Sequence, residues 1–487
     1  MSPFLIFSIL TCYFLMLIFV SYLTSRKTDN ASFFNANKKS PWYLIAFGMI
    51  GTSISGVTFI SVPGEVANHG FAYFQMVLGY LIGYFVILSV LMPVYYKLNL
   101  VTIYSYLEKR FGFWSYKSGS FFFLISRIIG SAFRLFLVAS VLQIAIFKSI
   151  GIPFYVSVIV TILLIWLYTF RGGIKTVVWT DTLQTVFFLA AVIITIISIG
   201  NQLDLNFRGI IDSVANHPYS KIFEWNWKSE KNFFKQFFAG AFIAIVMTGL
   251  DQDMMQKNLT CKTLKDAQKN MFWFSLTLLP VNLLFLSLGV LLYMYAANQG
   301  IAIPQYSDDL YPILAIQYFS PFLGIVFILG IVAAAFSSAD SALTALTTAV
   351  CVDFLNVDID KNDIKSKRLR KLVHIGISVI VIIVILIFYE INDKSVISQV
   401  FKAAGYTYGP LLGLFTFGLI TKFKIRDKFV PIVAVISPII CYIVNSNSEK
   451  WFNGYKFGFE ILILNGLLTF IGLLIISKFK EKYIANH

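Results

Sequence analysis

Gly48-Met49-Ile50-Gly51-Thr52-Ser53-Ile54-Ser55-Gly56-Val57-Thr58-Phe59-Ile60-Ser61-Val62-Pro63-Gly64 interrupts an apolar run that extends from residue 41 to residue 68. An intact membrane helix gains nothing from four glycines, a proline and a string of hydroxyls. A broken helix does gain, because the break frees backbone carbonyls that ligate a cation beside a cavity. The same small residues also suit a tight helix–helix interface. The spacing of glycines, hydroxyls and proline predicts a discontinuous helix.

The rest of the chain places that helix in lipid. Of 487 residues, 58% are hydrophobic and only 13% charged, against roughly 25% charged in a soluble domain. Forty-nine phenylalanines cannot be hidden in one water-soluble core. Apolar runs of about 17 to 30 residues, the length that spans a bilayer, recur thirteen times: near 3–24, 41–68, 71–96, 118–147, 152–170, 176–199, 235–254, 271–297, 311–349, 372–391, 396–420, 429–446 and 459–477. The run at 3–24 lacks a basic segment before it and a small-residue cleavage site after it, so it reads as a retained membrane helix and not a signal peptide. The expected fold is an all-α integral membrane protein, one transmembrane domain over 1–487.

Basic residues orient it. With the N-terminus outside, 27 lysines and arginines fall in inward-facing segments and 9 in outward-facing ones, which is the bias that sets topology. The expectation is a multi-pass protein of the plasma (inner) membrane, N-terminus outside and C-terminus cytoplasmic. The same bias explains the net charge of +15 without a nucleic-acid partner, since the basic residues form short clusters and no patch. Cys12, Cys261, Cys351 and Cys441 have neither paired nor metal-like spacing, so packing accounts for them. The segment 200–234, with Phe223, Trp225 and Trp227, is expected outside as an interfacial or capping element.

Charge at membrane depth is costly, about 2.5 to 3.5 kcal/mol per group at the centre, which makes each such residue a functional candidate. Ser337, Ser341, Thr344 and Thr348 in the ninth run form one hydroxyl stripe at helical spacing, with Asp340 adjoining it. Oxygen ligands of this kind suit a small hard cation, although membrane hydroxyls also bond back to their own helix. Arg127, Ser131 and Arg134 share one face of the fourth run. A guanidinium fork there fits a carboxylate bidentately or pairs with an acidic residue on a neighbouring helix. Asp251, Gln252, Asp253, Gln256 and Lys257 are assigned to the cytoplasmic end of the seventh run, where charge is cheap. Lys402 is assigned to snorkelling towards the membrane surface.

At these residues the chain resembles the sodium/solute symporters, the family of sodium-coupled sugar, proline, iodide, monocarboxylate and sialic acid carriers. The resemblance rests on the interrupted helix Gly51 to Pro63; on Trp179-Thr180-Asp181 after Gly172-Gly173; on Gln252-Asp253-Met254-Met255-Gln256-Lys257; on Ser337 to Asp353; and on Gly405 with Gly409-Pro410-Leu411-Leu412-Gly413-Leu414-Phe415. It covers about residues 30 to 425. It implies a leucine-transporter-like 5+5 inverted repeat, with repeats at 41–200 and 234–421, an extra N-terminal helix at 3–24 and peripheral C-terminal helices at 429–477.

Carried over residue by residue, the resemblance implies a principal sodium site made of the carbonyls of Gly51, Ile54 and Ala334 and the hydroxyls of Ser337 and Ser338. It implies a second sodium position at Asp181 with Ser337, Asp340 and Ser341. Asp340 departs from the hydroxyl that the sialic acid branch has there. That branch also implies a substrate site at Arg134 with Ser53, Ser55 and Thr58. Val77 stands where the branch has glutamine, with Gln75 two places earlier as the candidate amide, and this departure turns the expectation from sialic acid itself to an anionic solute more broadly.

The expected function is therefore sodium-coupled symport of a small organic solute, preferably a carboxylate, by alternating access, with sodium as the coupling ion and a single chain sufficing. A sugar or other neutral solute is the alternative, and a proton-coupled version would use Asp181 or Asp340 as carrier. A solute sensor on this scaffold is disfavoured because the chain ends at His487, shortly after the last helix. No enzyme is expected: His69, His217, His374 and His487 are scattered, with no nucleophile, base and orienting group at a recognisable spacing.

Overall fold

The computed structural model describes residues 3–25, 36–100, 102–357, 364–391 and 396–478. Each of the thirteen apolar runs contains a helix. Nine helical stretches among the described residues are long and apolar enough to cross a membrane, two more spans are bent pairs, and Phe154–Trp166 and Ile461–Ile475 are shorter apolar helices. We label the elements α1 (Pro3–Ser25), α2 (Trp42–Gly64), α3 (Tyr73–Val86), α4 (Phe113–Leu142), α5 (Phe154–Gln202), α6 (Phe233–Ala244), α7 (Gln252–Asn258), α8 (Leu264–Asn298), α9 (Pro321–Ala349), α10 (Ile364–Ile391), α11 (Val396–Thr407), α12 (Gly409–Ile420), α13 (Val430–Trp451) and α14 (Ile461–Ile475).

The breaks fall where the sequence placed its punctuation. In α2, Ser55 takes φ 51° and ψ 173°, a sharp interruption between two helical halves. A non-glycine residue at positive φ is strained and persists only where its surroundings hold it. In α5, Gly173 (φ 54°, ψ −152°) separates the helix of the fifth run from that of the sixth, so the break falls between two spans. A third break follows a π-helical turn at Ile245–Gly249, beyond which α7 leaves at 68° to α6. A fourth, of 47°, separates α11 from α12.

Helices α2 and α9 are buried along most of their length, and both pack on the second half of α5. Small residues permit the approach. A Cβ on Gly51 would stand 2.5 Å from Thr185 Oγ1, and one on Gly56 would stand 3.1 Å from the Ala335 Cβ. Gly48 to Gly64 thus serves both purposes at once, a helix break and a close interface. Around this centre α1 packs on α5, α6 on α3, and α13 and α12 on α14. Helices α1, α10 and α13 bury the smallest share, and they turn side chains such as Phe7, Ile383 and Ile439 outward, a surface suited to lipid.

Candidate functional site

The break of α2 at Ser55 falls inside its run of hydroxyl residues. The Ser55 hydroxyl accepts the Val57 amide at 3.3 Å. Ser53, Ser55 and Thr58 then line one cavity together with Arg127 and Arg134 of α4, Asn282 of α8 and Phe401 of α11. The expected substrate hydroxyls and the expected arginine therefore meet. A second cavity shares Tyr73, Ile397 and Phe401 with the first, so these three side chains stand between the two; Glu65 and Lys402 line the second.

The two arginines have different surroundings. Arg127 is ion-paired through Nη2 with Asp253 and, at 3.8 Å, through Nη1 with Asp251. Asp251 also accepts the Tyr408 hydroxyl and caps α7 by accepting the Asp253 amide at 2.9 Å. Arg127 is thereby the structural ion pair that the sequence allowed for. Arg134 is 7% exposed, faces the cavity, and has no hydrogen-bond or ion-pair partner among the described residues. A buried guanidinium left in that condition is costly unless an anion completes it.

Next to the cavity lies a polar knot. Asp181 of α5 accepts the Ser337 hydroxyl of α9 at 2.8 Å through Oδ1, and the Thr52 hydroxyl of α2 at 3.1 Å through Oδ2. Thr52 and Ser337 are themselves 3.5 Å apart. Gly51, whose Cβ would stand 3.1 Å from Ser337 Oγ, adjoins Thr52 at the break. Hydroxyls and a carboxylate from three helices converge here, the kind of oxygen cluster that attracts a compact cation.

A family model described as the sodium:solute symporter family matches residues 33–424. The chain belongs to that family. This symporter is 24% identical to the sodium/sialic acid symporter NanT of Aliivibrio fischeri over 92% of its own length and 89% of NanT. It is 24% identical to the human sodium/iodide cotransporter over 80% of its length, spanning 60% of that longer protein. Among solved structures, the substrate-bound outward-open state of a sodium-coupled sialic acid symporter superposes with a TM-score of 0.80 over 97% of this chain and 98% of the other, at 20% identity. That likeness carries the fold. Membership makes the chain a multi-pass sodium-coupled solute transporter and not an enzyme.

Three expectations change on meeting the symporter's geometry. Gln75 does not line the cavity: its amide donates to the carbonyls of Ala72 (3.1 Å) and Lys231 (3.0 Å) and accepts the Glu224 amide (3.1 Å). It clasps the 200–234 segment to α3, since all of its polar capacity is spent on backbone. Asp340 and Ser341 are not hydrogen-bonded to Asp181; the Asp340 Oδ1 accepts the Ser341 amide at 2.5 Å, and the Ser341 hydroxyl donates back to the Ser337 carbonyl at 3.1 Å. Thr344 and Thr348 of the hydroxyl stripe likewise donate to carbonyls of their own helix, as does Ser338 beside it. Ser337 instead donates across to Asp181 of α5, and Thr348 also accepts the Gln256 side-chain amide of α7 at 3.3 Å.

The third change is Lys257. Assigned to the interface, it is 1% exposed, and its Nζ donates to Asp181 Oδ2 at 2.5 Å and to the Thr52 hydroxyl. The apolar run closes at residue 254, whereas the bent span continues through α7 to Asn258. Asn282 was also missed. It is a lone amide in an apolar run two residues after Pro280, the pattern that marks intramembrane polar groups for attention.

Proposed function

We propose that this symporter couples inward sodium movement to uptake of a small carboxylate-bearing solute by alternating access. The observation that carries the reading is Arg134, a buried guanidinium facing the cavity with its bonding capacity unspent. Ser53, Ser55 and Thr58 stand in the same cavity to share the remaining lone pairs of a carboxylate. Both relatives named above transport anions by name, sialic acid and iodide, which favours a positively lined site.

Sodium sits, in this reading, at the break of α2, held by the carbonyls of Gly51, Ile54 and Ala334 and the hydroxyls of Ser337 and Ser338. Support comes from the closeness of Gly51 to Ser337 and from Ser337 donating its proton to Asp181, which leaves its lone pairs for a cation. Sodium orders the break, solute completes Arg134, and the repeats at 41–200 and 234–421 rock about the filled site. Each positive charge moved inward supplies about 2.3 kcal/mol per 100 mV. The chain works as a monomer in the inner membrane, with thirteen crossings, the N-terminus outside and the C-terminus in the cytoplasm, as the 27 to 9 distribution of basic residues favours.

Uptake into proteoliposomes tests this. Labelled carboxylic acids and their uncharged amides are offered with external sodium or with choline at fixed pH. Acids are expected to accumulate only with sodium, and amides weakly or not at all. Equal uptake of acid and amide overturns the solute class, and uptake insensitive to choline replacement overturns the coupling ion.

A further inference from the structure

Lys257 is among the largest fully buried side chains of the molecule, and it does not line the solute cavity. Solute binding therefore gives it no role. Its ammonium is held by Asp181 Oδ2 at 2.5 Å and by the Thr52 hydroxyl. Both partners belong to the knot where hydroxyls of α2 and α9 meet the carboxylate of α5. Ammonium and sodium are both compact monovalent cations that seek oxygen partners. Asp181 brings one negative charge and Lys257 one positive charge, so the position is filled electrically as well as sterically.

The side chain is not free to leave. It projects from α7, a helix of seven residues whose other end is fixed by the Arg127–Asp253 ion pair and by the Asp251 cap. Charged contacts therefore hold this helix to α4 on one side and to α2 and α5 on the other. A sodium added beside Asp181 would meet the ammonium at contact distance in a buried setting, where repulsion between like charges is weakly screened. Only one cation fits.

We propose that the Lys257 ammonium is the resident second cation of this symporter: it occupies the Asp181–Thr52 position throughout the cycle, so that a single sodium, bound at the α2 break, accompanies each solute. This inference rests on the reading of that break as the sodium position. It replaces the expectation of a second sodium at Asp181 with a cation the chain supplies itself. Removing the ammonium while keeping the carboxylate uncovers a vacant cation site.

The test counts bound radioactive sodium per chain on purified, detergent-solubilised full-length protein, alongside the shift in unfolding temperature that sodium produces. The parent is expected to bind one sodium with a Hill coefficient of one. Lys257→Met is expected to bind two and to be stabilised more strongly by sodium than the parent, and Lys257→Met/Asp181→Asn to return to one. A parent count of two overturns the inference, as does a count of one in folded Lys257→Met. Should Lys257→Met not fold, the charge-neutral double variant and the parent decide: one sodium in each supports the proposal, and a fall from two to one refutes it. Failure of the underlying reading looks different. A parent that binds no sodium, or a count that Ser337→Ala/Ser338→Ala leaves unchanged, removes the sodium position at the break and this inference with it.

Discussion

Ser337 Oγ donates to Asp181 Oδ1 across 2.8 Å, joining α9 to α5 at the level of the α2 break. The direction of that bond matters, since a hydroxyl whose proton is committed to a carboxylate turns its lone pairs elsewhere. Ser338, one residue on, is bonded only to carbonyls of its own helix and is available to turn. Replacing both by alanine is expected to raise the sodium concentration for half-maximal uptake by roughly tenfold or more, the scale of a lost hydrogen bond to a charged group. Sodium titrations of uptake, normalised to folded protein, check this. An unchanged sodium dependence removes both residues from the site.

Arg127 is expected to act on stability before transport. Breaking a buried ion pair by removing one partner strands the other charge and costs about 3 to 5 kcal/mol. Arg127→Met leaves Asp253 uncompensated and is expected to lower the unfolding temperature sharply, while Arg127→Met/Asp253→Asn recovers most of the loss. Thermal unfolding of the single and double variants in detergent gives the coupling. Additive losses would mean the two side chains do not support each other.

Gln75→Ala is expected to loosen the 200–234 segment and spare the solute site. The substitution leaves the Lys231 carbonyl and the Glu224 amide without their partner, at about 1 to 3 kcal/mol for a buried group left unsatisfied. Faster proteolysis within residues 200–234 at unchanged solute affinity is the expected pattern. A specific loss of solute affinity would return Gln75 to the binding site.

The fold was legible because its determinants are local. Apolar length marked the helices, and the small and polar residues from Gly48 to Gly64 marked a break that the structure places at Ser55, while Gly173 breaks α5 between the runs at 152–170 and 176–199. The juxtaposition of Arg134 with Ser53, Ser55 and Thr58 was reachable through family resemblance. Lys257 was not, for a physical reason: a lysine after an apolar run reads as the water boundary, and only the 68° bend carries the chain onward inside the protein. Gln75 misled in the opposite sense. A buried amide looks like a ligand until the loop backbone that consumes its hydrogen bonds is in place.

Asp308 predicts a pH dependence. It lies outside the membrane-spanning helices, between α8 and α9, and its Oδ2 accepts the Val396 amide at the start of α11 at 2.8 Å. Burial pushes its carboxyl up to about 6, the Val396 amide opposing the rise. A raised carboxyl pKa means that the folded protein holds the proton more tightly than the unfolded chain. The stabilisation is complete below the ordinary value near 4 and is lost as pH rises through about 6, roughly 3 kcal/mol at most for the full shift. Unfolding temperature is expected to fall between pH 5 and pH 7, and Asp308→Asn to flatten that fall. A parent profile rising across this range would contradict the assignment.

Arg134 decides the solute class. Its guanidinium is the cavity cation that no described side chain neutralises, whereas Arg127 beside it is already paired with Asp253. A carboxylate accepts two parallel N–H bonds from such a fork, and an amide offers neither the charge nor the second acceptor. Lysine keeps the charge and loses the fork, so Arg134→Lys is expected to weaken acid binding roughly tenfold and Arg134→Ala roughly a hundredfold. The uncharged amide analogue should lose only its packing, a few-fold in either variant. Binding of acid and amide to the parent and both variants, measured by sodium-dependent thermal stabilisation, separates charge recognition from shape. Equal losses for the two ligands would make Arg134 a structural residue and the solute a neutral molecule.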